Sequence, residues 1–332
     1  MEPHRPAVND CRITVLVQWT ELQDDEARAQ VYPYRRVLHP GYEVAVLNMR
    51  EQDRLRSYGI NASWRLEIFN QVETCNLDAW GRDDHRQVYD VVAATFAKLS
   101  LCVRGDFSSE YIVVDVFTGS QWERLTPVFA AGIASQNPIF GIPEERLDTW
   151  GDLIKNWPAR PDAALTLAME YYCESLAHRR ARKLASATVS AAIATEILFG
   201  NRGSEISYRI SVRVAQLLAK GEDAVLVQRA VSKLYGLRSG VVHSGKSVKK
   251  QDVDLWHQLL MRAIPTVAAW GGSVDSLRSL LDEASFNRTD ELDRLQDPEM
   301  WWNFCDFGEC LAKSAWGASP RETTRTTAQR DR

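Results

Sequence analysis

The chain has 332 residues, 45% of them hydrophobic and 25% charged, the balance of a globular protein with ample material for a core. No apolar stretch reaches the roughly 18 residues that a membrane-spanning helix needs, so no membrane partner is expected. The net charge of −4 argues against a general affinity for nucleic acid.

The opening residues, MEPHRPAVND, lack the apolar core of a secretory signal, and the expected location is cytoplasmic. CRITVLVQWT (11–20) and YEVAVLNMR (42–50) are rich in β-branched and aromatic residues and read as strands. WRLEIFNQVE (64–73) and YIVVDVFTG (111–119) read the same way. Between them, RQVYDVVAATFAKLSLCV (86–103) has helical spacing. Breaks are expected at Pro40-Gly41 and Gly105-Asp106. Pro138, Gly141 and Pro143 place a domain boundary near residue 150.

From Pro161, expected in a first helical turn, long amphipathic runs follow. They are PDAALTLAMEYYCESLAHRR, KLASATVSAAIATEILFG, SEISYRISVRVAQLLAKG, EDAVLVQRAVSKLYGLRSGVVHSG and DVDLWHQLLMRAIPTVAAWGG. Ser204 is the expected N-cap of the third run, and Gly200, Gly221 and Gly245 the expected stops. Five helices with short connections imply an antiparallel bundle. After Gly272 come two short helices and an aromatic patch, MWWNFCDF (300–307). The fold class is therefore α+β. A mixed α/β N-terminal domain (1–150) precedes an all-α antiparallel bundle (151–272), a helical extension (273–317) and a disordered tail (318–332).

The six cysteines are scattered, and no C-x-x-C pair occurs. All read as reduced thiols, and neither a metal nor a cofactor is expected. Charge is unevenly spread. Residues 1–150 hold 15 Lys/Arg against 22 Asp/Glu, residues 151–270 hold 17 against 10, and residues 271–332 hold 8 against 12. The basic middle segment either meets an anionic partner or attracts its neighbours.

That segment carries the run LYGLRSGVVHSG, Leu234 to Gly245. Arg238 is a permanent cation, and histidine is the side-chain type that titrates near neutral pH, here His243. Cleaving RNA without a metal takes one group to remove the 2′-hydroxyl proton, another to protonate the departing 5′-oxygen, and a cation for the charge on phosphorus. Five residues apart on a straight helix, Arg238 and His243 diverge by about 140°. A shared site needs a helix irregularity, which Gly236 and Gly240 would ease, or a second copy of the motif across a two-fold axis.

The pattern Tyr-x-x-Arg-Ser-x-x-Val-His-x-Gly, met by Tyr235, Arg238, Ser239, Val242, His243 and Gly245, resembles that of a HEPN domain, closest to its ApeA-like branch. AAIATEILFG with Glu196 and EISYRISVRVAQLLA with Arg209 and Arg213 resemble the upstream helices of that branch. The resemblance covers roughly residues 150–270. It implies a dimerising helical domain and, in many members, a metal-independent endoribonuclease of defence or toxin systems, with Arg238 and His243 as the catalytic pair. Ser239 stands where nuclease members often have Asn, Asp or His.

Plainer roles stay open for each residue. His243 is also a helix C-terminal cation, Tyr235 a packing residue, and Ser239 a back-bonding serine. Glu196, in an apolar helix, needs a partner among Arg209, Arg213 and Arg238. HRRARK (178–183) reads as a turn or solvated face, and GKSVKK (245–250) as the better phosphate-tracking segment. TGSQWERL (118–125) faintly resembles the Gly-Ser of a nucleotidyltransferase but lacks a metal-binding Asp pair.

The expected function is thus a homodimeric HEPN endoribonuclease leaving 2′,3′-cyclic phosphate and 5′-hydroxyl ends. His243 and Arg238 are catalytic, Ser239, Tyr235 and Glu196 supporting, and Lys246, Lys249, Lys250, Arg209 and Arg213 RNA-binding. The N-terminal domain is expected to take a regulatory ligand or protein. The alternative is a catalytically silent HEPN scaffold for dimerisation or RNA binding, with specificity in the N-terminal domain.

Overall fold

The computed structural model describes residues 11–21, 35–39, 42–46, 50, 54, 64–69, 82–102, 105–118, 120–131, 151–201, 206–284 and 290–295. Ser204, the 131–148 boundary stretch beyond residue 131, the 300–307 aromatic patch and the tail lie outside the described residues.

The N-terminal half forms one antiparallel sheet of six strands. In chain order these are β1 (Cys11–Glu21), β2 (Arg35–His39), β3 (Tyr42–Val46), β4 (Trp64–Phe69), β5 (Gly105–Phe117) and β6 (Trp122–Ala131). Their spatial order is β2-β3-β4-β1-β5-β6. Alternation decides the faces. Cys11, Ile13 and Val15 of β1, Leu66 and Ile68 of β4, and Ile112 and Val114 of β5 are all buried in the core. From the other face, Arg12 of β1 reaches Asp115 of β5 at 2.9 Å and Glu67 of β4 at 3.8 Å. β2 and β6 were not expected from the sequence. β6 contains Pro127, which cannot donate to a ladder, and it sits at the sheet edge where that is tolerated. Ser120 of TGSQWERL falls between β5 and β6, where the Thr118 N–H donates to the Gln121 carbonyl at 3.0 Å; Gly119 lies outside the described residues.

Helix α1 (Arg82–Cys102) buries Val88, Val92, Thr95, Leu99 and Cys102, a stripe at helical spacing. The bundle follows a short helical stretch over 151–156: α2 (Ala163–Arg180), α3 (Leu184–Phe199), α4 (Ile206–Leu218), α5 (Gly221–Ser244) and α6 (Lys250–Trp270). Two further helices are α7 (Val274–Ala284) and α8 (Asp290–Leu295). α2 begins two residues later than expected, because Asp162 caps it by accepting from the Ala164 N–H at 2.7 Å, so Pro161 lies just before the cap. Gly221 is not a stop but the first residue of α5.

Sheet and bundle share one cluster of buried residues. α1 packs on α2 and α6, and the Tyr172 hydroxyl of α2 donates to the Ser100 carbonyl of α1 at 2.9 Å. The architecture is α+β. No helix among the described residues is long and apolar enough to cross a membrane.

Candidate functional site

Helix α5 runs without interruption from Gly221 to Ser244. Val227, Ala230, Val231, Leu234 and Tyr235 bury one face of it, against α3 and α4. The opposite face is a solvent-exposed ridge formed by Ser232, Gly236, Ser239 and His243. Three of the four side chains on that ridge are small, and a Cβ placed on Gly236 meets nothing within 4 Å. The irregularity that would have brought Arg238 and His243 onto one side is absent. Their roughly 140° divergence therefore stands.

Arg238 continues the buried face one turn beyond Leu234 and Tyr235, where its Nη2 is 3.4 Å from Oε1 of Glu196 on α3. Both side chains are about one-third exposed, at 30% and 31%. Of the three partners open to Glu196 in the sequence, the fold selects Arg238. The Arg238 Nε is buried with no hydrogen-bond partner among the described residues, so the guanidinium keeps unspent donor capacity there. Beneath the pair, Tyr235 is buried, donates to the Ala192 carbonyl at 3.4 Å, and meets Trp256 edge-on at 5.5 Å between ring centroids. Burial holds its phenol well above the usual tyrosine range, and Glu196 pushes in the same direction against Arg238. Tyr235 is consequently a neutral group at physiological pH and not a base.

His243 is fully on the exposed ridge, one residue before the end of α5. Gly245 closes that end with φ of 63°, a left-handed conformation that favours glycine. The N–H groups of Gly245 and Lys246 return to the carbonyls of Val241 and Gly240 at 3.1 and 3.2 Å. The Lys246 side chain lies over Gly240, where an added Cβ would come within 3.0 Å of its Cδ. Lys246 and Lys249 are exposed in the short link to α6, and Lys250 is exposed as the first residue of that helix. Ser239 is exposed, and the back-bonding serine of this helix end is Ser244, which donates to the Gly240 carbonyl at 2.8 Å.

Two expected RNA-binding residues separate. Arg209 is exposed on α4. Arg213, one turn on, is only 1% exposed and cannot reach RNA. It donates to Asp282 of α7 through Nε at 2.7 Å and Nη2 at 2.6 Å, and through Nη1 to the Phe199 carbonyl at 2.6 Å. Arg213 is thus a buried clamp on the end of α3. Arg278 of α7 joins it, donating to the carbonyls of Leu198 and Ile197. The HRRARK cluster is the α2–α3 turn. Its Arg179 is buried and bonded to Asp254 at 2.7 Å, and Arg182 takes φ of 57°. His257 is a core residue, its Nε2 2.8 Å from the Ser175 hydroxyl. That hydroxyl spends its proton on the Ala187 carbonyl, so Nε2 carries the hydrogen.

The comparisons with known proteins return no match: no family model, no curated protein and no solved structure matches this chain. Sequence reasoning passed over two groups. One is the Arg278–Asp282 half of the α3 clamp, whose residues look like ordinary surface charges. The other is Lys98, whose signal was its position among apolar residues in AATFAKLSLC.

Proposed function

We propose that the chain is a metal-independent endoribonuclease of HEPN type, acting as a homodimer through the bundle and belonging to a defence or toxin system in the cytoplasm. The observation that carries this reading is the open ridge of α5. His243 stands on it beside Ser232, Gly236 and Ser239, so a second α5 meets little steric opposition. One chain's straight helix holds Arg238 and His243 apart, and two-fold pairing supplies two imidazoles and two guanidiniums to one cleft. In that cleft one His243 takes the 2′-hydroxyl proton. The 2′-oxygen attacks phosphorus, the P–O5′ bond breaks, and the second His243 protonates the leaving 5′-oxygen. Arg238, oriented by Glu196, stabilises the phosphoryl oxygens, and the lysines at 246, 249 and 250 hold flanking phosphates.

The Arg238–Glu196 pair favours a second reading, in which the guanidinium is spent on structure and the bundle is a silent dimerisation or RNA-binding scaffold. Incubation of purified full-length protein with single-stranded RNA separates the two. Cleavage that persists in EDTA, yields 2′,3′-cyclic phosphate ends and disappears in Arg238→Ala and in His243→Ala supports the nuclease. Mixing the two inactive variants restores no activity, because a composite dimer holds one His243 where the mechanism uses two. Cleavage stopped by EDTA, or unchanged in His243→Ala, overturns the mechanism. Intact RNA with retained RNA binding or dimerisation supports the scaffold.

A further inference from the structure

A groove of about 940 Å³ lies between α1, the 154–161 segment and α2. It falls within the volume range of small-molecule sites. Its floor is one face of α1, on which Asp90, Ala93, Ala94, Ala97 and Lys98 follow at helical spacing. The alanines leave the floor low and apolar. Trp157 and Met169 of α2 also line it.

Lys98 is the anomaly in this lining. Its ammonium sits 5.4 Å from the centre of the Trp157 ring, and among the described residues no carboxylate pairs with it. Burial holds it below the usual lysine range, the direction expected of a cation taken from water without a counter-charge. The two acidic side chains that share the groove, Asp90 and Glu170, are both exposed. Asp90 stands two turns from Lys98 along α1, about 12 Å away.

We propose that this groove binds a small aromatic monocarboxylate, with the carboxylate on the Lys98 ammonium and the ring against Trp157 and the alanine floor. The missing counter-charge specifies an anion. The apolar floor and the indole specify a flat, weakly hydrated body. Asp90 and Glu170 specify a single charge, because a phosphate monoester brings nearly two charges at neutral pH and meets greater repulsion. The groove has one wall from the helix that covers the sheet and one from the first long helix of the bundle, so an occupant touches both halves of the chain. The proposal rests on the groove alone and stands whether or not the bundle cleaves RNA.

The test is isothermal titration of the full-length protein with indole-3-acetate and 1-naphthoate, against their neutral amides and against phenyl phosphate. At least one acid binds, its amide binds roughly tenfold or more weakly, and Lys98→Met brings the acid down to the level of the amide. Trp157→Ala weakens acid and amide alike. Lys98→Met keeps the stem of the side chain and removes a poorly solvated charge, so its melting temperature without ligand is not lowered. The proposal is overturned if both acids fail to bind at millimolar concentration, if acid and amide bind equally, or if Lys98→Met leaves acid binding unchanged. Phenyl phosphate binding as tightly as the acids also overturns it.

Discussion

Arg213 on α4 and Asp282 on α7 form a two-pronged ion pair whose cationic member is 1% exposed and whose anionic member is 54% exposed. The asymmetry decides what each half does for stability. A buried guanidinium without its partners keeps its desolvation cost, whereas a half-exposed carboxylate returns readily to water.

Arg213→Ala releases a carboxylate that water can take up, but it leaves a void where a large buried side chain stood and the Phe199 carbonyl without its donor, and is expected to cost about 2–5 kcal/mol in urea unfolding. Lys at this position fails to rescue, because one ammonium cannot reproduce the fork that meets Asp282 and Phe199 together. Arg209→Ala, on the exposed surface, leaves stability within about 0.5 kcal/mol. If the two variants unfold at the same urea concentration, the clamp is not what holds α3.

The same pair has an acid signature. The hydrogen bond from Arg213 holds the Asp282 carboxyl below its ordinary range; partial burial opposes this, and the charges of Arg213 and Arg209 reinforce it. A depressed folded value means that the contribution is complete above the unfolded aspartate value of about 3.9 and fades as pH falls through the lower folded one. Wild type is therefore expected to lose stability more steeply than Asp282→Asn below about pH 4. Unfolding curves for the two proteins that stay parallel across that range would count against the pairing.

Glu196 is predicted to matter for activity more than for folding. A pair one-third exposed on each side contributes at most about 1 kcal/mol. On the proposed nuclease reading, Glu196→Gln should leave the melting temperature nearly unchanged while RNA cleavage falls by roughly tenfold, the loss expected if Arg238 stabilises the phosphate and is no longer oriented. An unchanged cleavage rate would make the contact structural only.

Tyr235 divides the other way. Its hydroxyl bond is long, 3.4 Å, so Tyr235→Phe should cost under about 1 kcal/mol. Tyr235→Ala empties a packed position against Trp256 and should cost about 3–5 kcal/mol. Thermal unfolding of the two variants checks the order.

Gly245→Ala tests the end of α5. At φ of 63° a Cβ costs about 1–2 kcal/mol, with open space around it. The strain is predicted to fray the last turn and with it the His243 position, seen as faster amide exchange there while Leu234 keeps its protection.

The bundle was legible in the sequence because its runs are long and rich in helix formers, with a clear 3.6-residue period in α4 and α6 though hardly any in α2 and α3, and because Gly245 marks its own stop. The central strands were legible for the same reason at a period of two. β2 and β6 were not, since Arg35-Arg36 and Pro127 look wrong for strands and are tolerated only at the sheet edges. The site was half legible. The spacing of Arg238 and His243 already implied divergent side chains, and Glu196 in an apolar helix already implied a charged partner. Arg213 misled because a basic residue on a basic segment looks solvent-facing. Its burial depends on Asp282, 69 residues later, a contact with no local signature.

The clamp on α3 also has a consequence for synthesis. Three successive carbonyls at the end of α3, those of Ile197, Leu198 and Phe199, are met by guanidinium groups, and two of these contacts come from Arg278. A chain emerging from the ribosome with its N-terminus first presents α3 some eighty residues before Arg278 follows it out. During that interval the carbonyls of Ile197 and Leu198 have only water or a chaperone to satisfy them, while Arg213 can already reach Phe199. The bundle is therefore sealed late, by a helix that follows it in the chain, and a nascent chain paused before residue 278 is an unfinished fold rather than a shorter one.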